Sequence, residues 1–218
     1  MSNVIAFFDM DRTILSDSSG LLYMRYLRQK GQINLQAVLR VYWHAALYGL
    51  GLFNYPATMA KVTAAISGDS EADMIAFCQR WFDEVVINYI AEKAVQRMDD
   101  HRAQGHLVTI LSAATPYAVG PVASHIGADD YLCTRLEVVN GRFTGRFVEP
   151  ACYGEGKVFY AEQYTREHGS DLSHAYFYTD GHSDLPLLEQ IGHPVAVNPD
   201  ARLKATAQRR GWPIEYLY

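Results

Sequence analysis

The chain has 218 residues, 49% of them hydrophobic and 20% charged, the balance of a folded soluble protein, which excludes an intrinsically disordered chain. A formal net charge of −5 leaves no basic field to attract nucleic acid or an anionic membrane. Cys78, Cys133 and Cys152 form no C-x-x-C pair and are odd in number, which argues against a disulfide framework and a structural zinc site and fits a reducing compartment.

At ~150 residues per domain the length suggests one domain with a large insertion, or two small ones. The best apolar stretch, Val41 to Phe53, is interrupted by His44 and falls short of the ~18 residues a membrane helix needs. The start, Met1-Ser2-Asn3, runs into an apolar segment without the basic lead of a signal peptide. The expectation is a cytoplasmic protein with no membrane insertion and no nucleic-acid partner.

In chain order, Val4 to Phe8 is a continuous apolar run that stops at Asp9, the signature of a parallel strand buried on both faces. From about Ser19 to Val86 there is no convincing strand; helical patterns cover Leu21–Gln29, Leu35–Leu47, Pro56–Ile66 and Glu71–Phe82, with breaks at Gly31, Gly49-Leu50-Gly51 and Gly68. This segment reads as a helical insertion after the first strand. Helices are then predicted over Ala91–Gln104, Pro116–His125 and Lys157–His168, stopped by Gly105, Gly127 and Gly169. Strands are predicted over Leu107–Leu111, Ala175–Tyr178 and Pro194–Val197. Asn140-Gly141 between Leu136–Val139 and Arg142–Phe147 predicts a hairpin, because a type I′ turn needs positive φ at both central residues. The alternation implies an α/β fold with a Rossmann-like parallel sheet, an inserted helical cap and a β-hairpin.

The acidic residues fall where strands end. Asp9 and Asp11 follow the first strand, and Asp180 and Asp184 follow a later one; in open α/β sheets, ligands bind beyond the carboxyl ends of the strands. Carboxylates gathered there repel unless a cation neutralises them, and Mg²⁺ commonly takes one or two carboxylates together with a substrate phosphate. Gly154-Glu155-Gly156-Lys157-Val158 is not a P-loop, since Ala151 and Val158 replace the first glycine and the hydroxyl residue.

Asp9/Asp11/Thr13 in D-x-D-x-T spacing, then Ser112, Lys157 and Asp180/Asp184 in that order, resemble the haloacid dehalogenase (HAD) superfamily, and the long insert resembles the cap of its phosphoserine-phosphatase-like branch. The resemblance implies a core of residues 1–16 and 88–218, a cap of residues 17–87, and Mg²⁺-dependent hydrolysis of a small-molecule phosphate ester. Asp9 is then the nucleophile, forming an aspartyl-phosphate, and Asp11 the acid–base, with a pKa raised by its acidic neighbours. Ser112, Lys157 and backbone N–H groups at Met10, Asp11 and Ala113 bind phosphate. Asp9, the Asp11 carbonyl and Asp180 hold the metal, with Asp184 acting on it directly or through water, and Thr13 supports the loop through its hydroxyl.

This sequence departs from phosphoserine phosphatases at Ser18, where they carry Glu, and at Ser112-Ala113-Ala114, where they carry S-G-G; Lys61 is the nearest match to their cap Arg. The D-x-D-R-T form looks more like HAD-type histidinol-phosphate phosphatases, an enzyme of amino-acid biosynthesis, with phosphoserine and lipid phosphates as alternative substrates. Asp17 is a candidate for a substrate ammonium, and His182 is expected to be a neutral, hydrogen-bonding residue. Of the cap aromatics Tyr23, Tyr26, Tyr42, Trp43, Tyr48, Phe53 and Tyr55, most are expected in the core, with one or two facing the site. A phosphotransferase and a non-enzymatic, aspartate-phosphorylated signalling module are the alternatives to hydrolysis.

Overall fold

The computed structural model describes residues 3–33 and 55–218. The four apolar runs form adjacent strands because their side chains are buried alternately on two sides. In β1 (Ile5–Phe8), Ala6 and Phe8 join one hydrophobic cluster while Ile5 and Phe7 join the other. Such a strand needs a covering layer on each face, as helical crossovers between parallel strands provide.

The sheet has six strands in the order β3 (Asp130–Cys133), β2 (Leu107–Ser112), β1, β6 (Tyr176–Thr179), β7 (His193–Val197) and β8 (Ile214–Glu215). Every neighbouring pair is parallel. Connections run outward on both sides of β1, so the strand order reverses between β1 and β6, where open α/β sheets form a crevice at their carboxyl ends. On one face, α4 (Glu92–Ala103) contributes Ala94 and Met98, and α5 (Pro116–Ile126) contributes Val119 and Val122. The other is covered by α6 (Glu155–Glu167), α7 (Leu185–Leu188) and α8 (Ala201–Arg210), through residues such as Ala161, Leu187 and Leu203.

The described part of the insertion comprises α1 (Ser19–Gln29), α2 (Tyr55–Ala65) and α3 (Glu71–Glu84). Leu22, Tyr26, Trp81 and Phe82 carry the first cluster outward from the sheet, and Tyr23 packs edge-on against Phe77 and Trp81. The predicted helix Leu35–Leu47, the stretch Val41–Phe53, and Tyr42, Trp43, Tyr48 and Phe53 lie outside the described residues. The hairpin forms as expected from β4 (Leu136–Val139) and β5 (Arg142–Phe147), with positive φ at both Asn140 and Gly141. It also pairs with the α2–α3 link: Gly68 N–H donates to the Phe143 carbonyl (2.8 Å), Phe143 N–H to the Asp69 carbonyl (3.0 Å), and Glu71 N–H to the Gly141 carbonyl (3.0 Å).

The edge strands β3 and β8 and the helix α8 were not expected from periodicity. Gly105, Gly127 and Gly169 each stop their helix with positive φ. Among the described residues, no helix is long and apolar enough to cross a membrane.

Candidate active site

The site lies at the carboxyl ends of β2, β1 and β6. Asp9 extends β1 by one more sheet bond, its N–H donating to the Tyr178 carbonyl at 2.9 Å. The chain then folds into a tight turn over Met10–Ile14, closed by Leu15 N–H donating to the Met10 carbonyl (2.8 Å). Asp11 is extended within it and Arg12 takes φ 54°, a left-handed conformation that non-glycine residues seldom adopt. Tyr218 braces this turn, its hydroxyl donating to the Arg12 carbonyl at 3.1 Å. The turn directs the Asp11 carboxylate to the start of α1, where Ser19 N–H donates to it at 2.7 Å; a helix N-terminus has free N–H groups for such an acceptor.

Lys157 comes from the other side of the sheet, in the first turn of α6. Its Nζ donates to Asp9 Oδ1 at 2.8 Å and to Asp184 Oδ2 at 2.7 Å, and the side chain is 3% exposed. Thr179 Oγ1 donates to the same Asp184 oxygen at 2.6 Å, while Asp184 Oδ1 is buried with no partner. The backbone leading to Lys157 requires glycine: a Cβ on Gly156 would lie 1.8 Å from the Ala151 carbonyl oxygen.

Asp180 ends β6, next to β1. Its carbonyl accepts from Asp200 N–H (2.9 Å), and the Asp200 carboxylate accepts from His182 N–H (2.9 Å) and Leu203 N–H (2.8 Å). One aspartate thus caps α8 and fixes the loop carrying Asp180 to Asp184.

The electrostatics follow from one buried ammonium set among four carboxyl groups. Burial pushes the Asp9 pKa up to about 7; Lys157 pulls against this while Asp184 and Asp11 add to it. Asp180 is pushed well above the ordinary range by burial and then by Asp9 and Asp184. Burial alone would lower the Lys157 pKa, but Asp184 and Asp9 outweigh it, so the ammonium is retained. Asp11 is also raised, though not for the reason expected from sequence: burial raises it, and the Ser19 N–H, Lys157 and Arg12 oppose the rise.

This donor set suits a hard cation. Asp184 Oδ1 is an orphaned buried oxygen, and Asp9 and Asp180 are carboxyls raised in pKa by burial and by neighbouring acids, so a cation would favour their ionised forms. No three His, Cys, Asp or Glu side chains among the described residues form a metal cage by themselves. A cation here would therefore draw on the Asp11 carbonyl, water and substrate phosphate for its remaining ligands, as Mg²⁺ commonly does.

Ser112 ends β2 and is buried; its Oγ accepts from Ala114 N–H at 3.2 Å. It therefore closes a turn and does not cap α5, whose N-cap is Thr115. The Ala113 carbonyl accepts from the Tyr55 hydroxyl at 2.5 Å. Met10 is buried beneath the turn.

The outlying candidates sit differently. Asp17 is occupied, accepting from Arg25 and from Ser18 N–H, both at 2.8 Å. Ser18 is the N-cap of α1, and Lys61 is exposed on α2. The pKa of His182 is lowered by burial and by Arg202, as a neutral ring requires. Its Nδ1 is buried with no hydrogen-bond partner, and its charged neighbours are Arg202, Asp200, Arg209 and Glu189, not the carboxyl cluster. Thr13 Oγ1 likewise has no partner, so the loop is held by the Leu15–Met10 bond and Tyr218 instead. Sequence reading passed over Thr179, Asp200 and Tyr218; Thr179, beside Asp180, and Asp200, in a helix-cap position, carried a local signal, and Tyr218 carried none.

The sequence pattern of haloacid dehalogenase-like hydrolases matches residues 6–189. A phosphoserine phosphatase of Mycobacterium tuberculosis is 33% identical over 96% of this chain and 69% of its own length. A histidinol-phosphatase of Neisseria meningitidis serogroup C is 29% identical over 96% and 97%. A Bordetella pertussis Tohama I protein of unknown function has a solved structure that superposes with TM-score 0.89 at 27% identity, covering all of both chains. The chain belongs to the haloacid dehalogenase-like hydrolases and is a HAD-type phosphatase.

Proposed function

We propose that this phosphatase is Mg²⁺-dependent, works through an aspartyl-phosphate on Asp9, and takes histidinol phosphate as its substrate. The observation that carries the mechanism is the Asp9–Lys157–Asp184 contact at the point where the strand order reverses. It sets one carboxylate oxygen of Asp9 against a fixed ammonium and leaves the other for chemistry.

The Asp9 carboxylate attacks phosphorus, and the bond to the leaving oxygen breaks. Asp11, whose pKa burial raises, gives its proton to the departing alkoxide. Water then attacks the aspartyl-phosphate, Asp11 takes back a proton, and inorganic phosphate leaves with Asp9 restored. Lys157 and the Ser112 hydroxyl bind phosphate oxygens with backbone N–H groups at Met10, Asp11 and Ala113, since phosphoryl transfer depends mainly on positioning and charge stabilisation. Asp9, Asp180 and the Asp11 carbonyl would hold Mg²⁺, which would supply positive charge that favours ionised Asp9 and offsets the substrate phosphate. Asp184 serves by holding Lys157, and its unpartnered Oδ1 would add to the cation's ligand set, directly or through water. In this reading residues 17–87 are the cap domain, of which 17–33 and 55–87 are described.

Histidinol phosphate is favoured by the near full-length match to the Neisseria meningitidis enzyme and by Ser18, which cannot bind a substrate ammonium as glutamate does. The aromatic rings of Tyr55 and Tyr153, stacked at 4.6 Å, offer a surface on which an imidazole can lie. A panel of metabolite phosphates with Mg²⁺ tests the reading. Histidinol phosphate should exceed phosphoserine by tenfold or more in kcat/KM, a ~1.4 kcal/mol discrimination, and Asp9→Asn should abolish turnover with the fold intact. A preference for phosphoserine would overturn the substrate, and full turnover by Asp9→Asn the mechanism.

A further inference from the structure

Tyr55 stands out among the cap residues because its hydroxyl reaches the core. It donates to the Ala113 carbonyl at 2.5 Å, with Thr134 Oγ1 at 3.3 Å. Thr134 is fully buried and its Oγ1 accepts from Cys152 N–H at 3.0 Å, so its own proton is available to the Tyr55 oxygen. The result is a directed chain of donors from Cys152 N–H through Thr134 and Tyr55 to the Ala113 carbonyl, in which each bond polarises the next. Burial pushes the Tyr55 pKa up, so the phenol keeps the proton it donates.

The Ala113 carbonyl and the Ala114 N–H belong to one rigid peptide plane. That plane is held at its oxygen by Tyr55 and at its nitrogen by Ser112 Oγ, which accepts from Ala114 N–H at 3.2 Å. With that lone pair occupied, the Ser112 O–H proton is directed away from Ala114. The Tyr55 ring, meanwhile, is stacked on Tyr153 at an interplanar angle of 9°, four residues before Lys157. Tyr55 thus links the insertion to both segments that bind phosphate in the proposed mechanism.

We propose that Tyr55 is a positioning residue: by fixing the Ala113–Ala114 peptide it orients the Ser112 hydroxyl toward the substrate phosphate. The proposal rests on the assignment of Ser112 to phosphate binding. Tyr55→Phe removes one oxygen and keeps the ring stack, so the fold should persist, as circular dichroism and the melting temperature would verify. Freeing the Ala113 carbonyl of its donor should lower kcat/KM for p-nitrophenyl phosphate roughly tenfold, a ~1.4 kcal/mol loss of transition-state binding, and weaken competitive inhibition by inorganic phosphate by a similar factor. Tyr216→Phe, at an exposed position (56%), should match wild type.

The decisive readout is coupling. In a Ser112→Ala background, Tyr55→Phe should cost less than twofold further, because the group it orients is gone; a merely structural tyrosine would cost the same in both backgrounds. Undiminished loss in Ser112→Ala, or wild-type kcat/KM and phosphate inhibition in Tyr55→Phe, would overturn the proposal and leave the phosphatase reading standing. A wild-type protein that neither hydrolyses the ester nor binds inorganic phosphate by calorimetry would overturn both.

Discussion

Replacing Lys157 with methionine would remove the ammonium and keep most of the side-chain volume. In the native protein that ammonium lies 2.8 Å from Asp9 and 2.7 Å from Asp184. Without it, buried carboxylates face one another, with Thr179 as the remaining donor to Asp184. Breaking a buried ion pair from one side costs ~3–5 kcal/mol, because the partner charge is left uncompensated. For a chain of this size each kcal/mol is worth ~2–4 °C, so the expected loss at pH 8 in chelator is roughly 6–20 °C in Tm. The loss should depend on pH in a definite sense. Lys157 lowers the Asp9 pKa, which burial and the other acids have carried to about 7; without the lysine Asp9 holds its proton to still higher pH. At pH 5 Asp9 is already protonated and needs the ammonium less, so the gap between variant and wild type should shrink there. Thermal unfolding followed by circular dichroism at pH 5 and pH 8 would measure both gaps. A loss below ~1 kcal/mol at pH 8, or one equally large at pH 5, would refute the reasoning.

The same electrostatics predict how Mg²⁺ acts on stability. A carboxyl whose folded pKa is raised contributes stability below its ordinary value, near 3.8, and loses it as pH climbs through the folded value, about 7 for Asp9. Added Mg²⁺ should therefore raise Tm more at pH 8 than at pH 5, and equal shifts would count against a site built on these acids. Gly156→Ala places a Cβ 1.8 Å from the Ala151 carbonyl oxygen; an ~2 kcal/mol loss in urea unfolding, with impaired turnover through displaced Lys157, is expected, and an unaffected enzyme would show that the backbone yields. His101, bonded to His106 (2.8 Å) and to the Tyr178 hydroxyl (2.9 Å), has its pKa lowered by burial and His106 to about 4. The stability contributed by its neutral form is present above its ordinary pKa of 6.5 and lost as pH falls through about 4, so His101→Gln should flatten the acid side of the stability profile. An unchanged profile between pH 6.5 and 4 would contradict this.

The parts of the fold visible in sequence are those that a local pattern encodes. Val4 to Phe8 announces a strand because both its faces are buried, and Asn140-Gly141 announces a hairpin because both residues accept positive φ. Asp130-Tyr131-Leu132-Cys133 gives no such signal, since an edge strand with exposed Asp130 has a mixed burial pattern. Ile214-Glu215 is too short to show a period. In the site, Asp9 and Asp180 were legible because each ends an apolar run. Lys157 was legible only through the family resemblance, for its partner Asp9 lies 148 positions away. Asp200 looks like an ordinary helix cap, and its second bond, to His182 N–H, arises only when α8 packs beside the β6 loop. The cause of the Asp11 shift was misjudged because sequence shows which charges are near in the chain, not how far the group is withdrawn from water.

The most direct test of the central claim is to trap the covalent intermediate. The protein would be mixed with p-nitrophenyl phosphate and Mg²⁺, quenched in acid within milliseconds, digested and analysed by mass spectrometry. The account predicts a phosphoryl adduct on the peptide carrying Asp9, absent from Asp9→Asn and accumulating when Asp11→Asn slows the water step. Phosphate release at the normal rate with no adduct on that peptide, or an adduct on another residue, would contradict it.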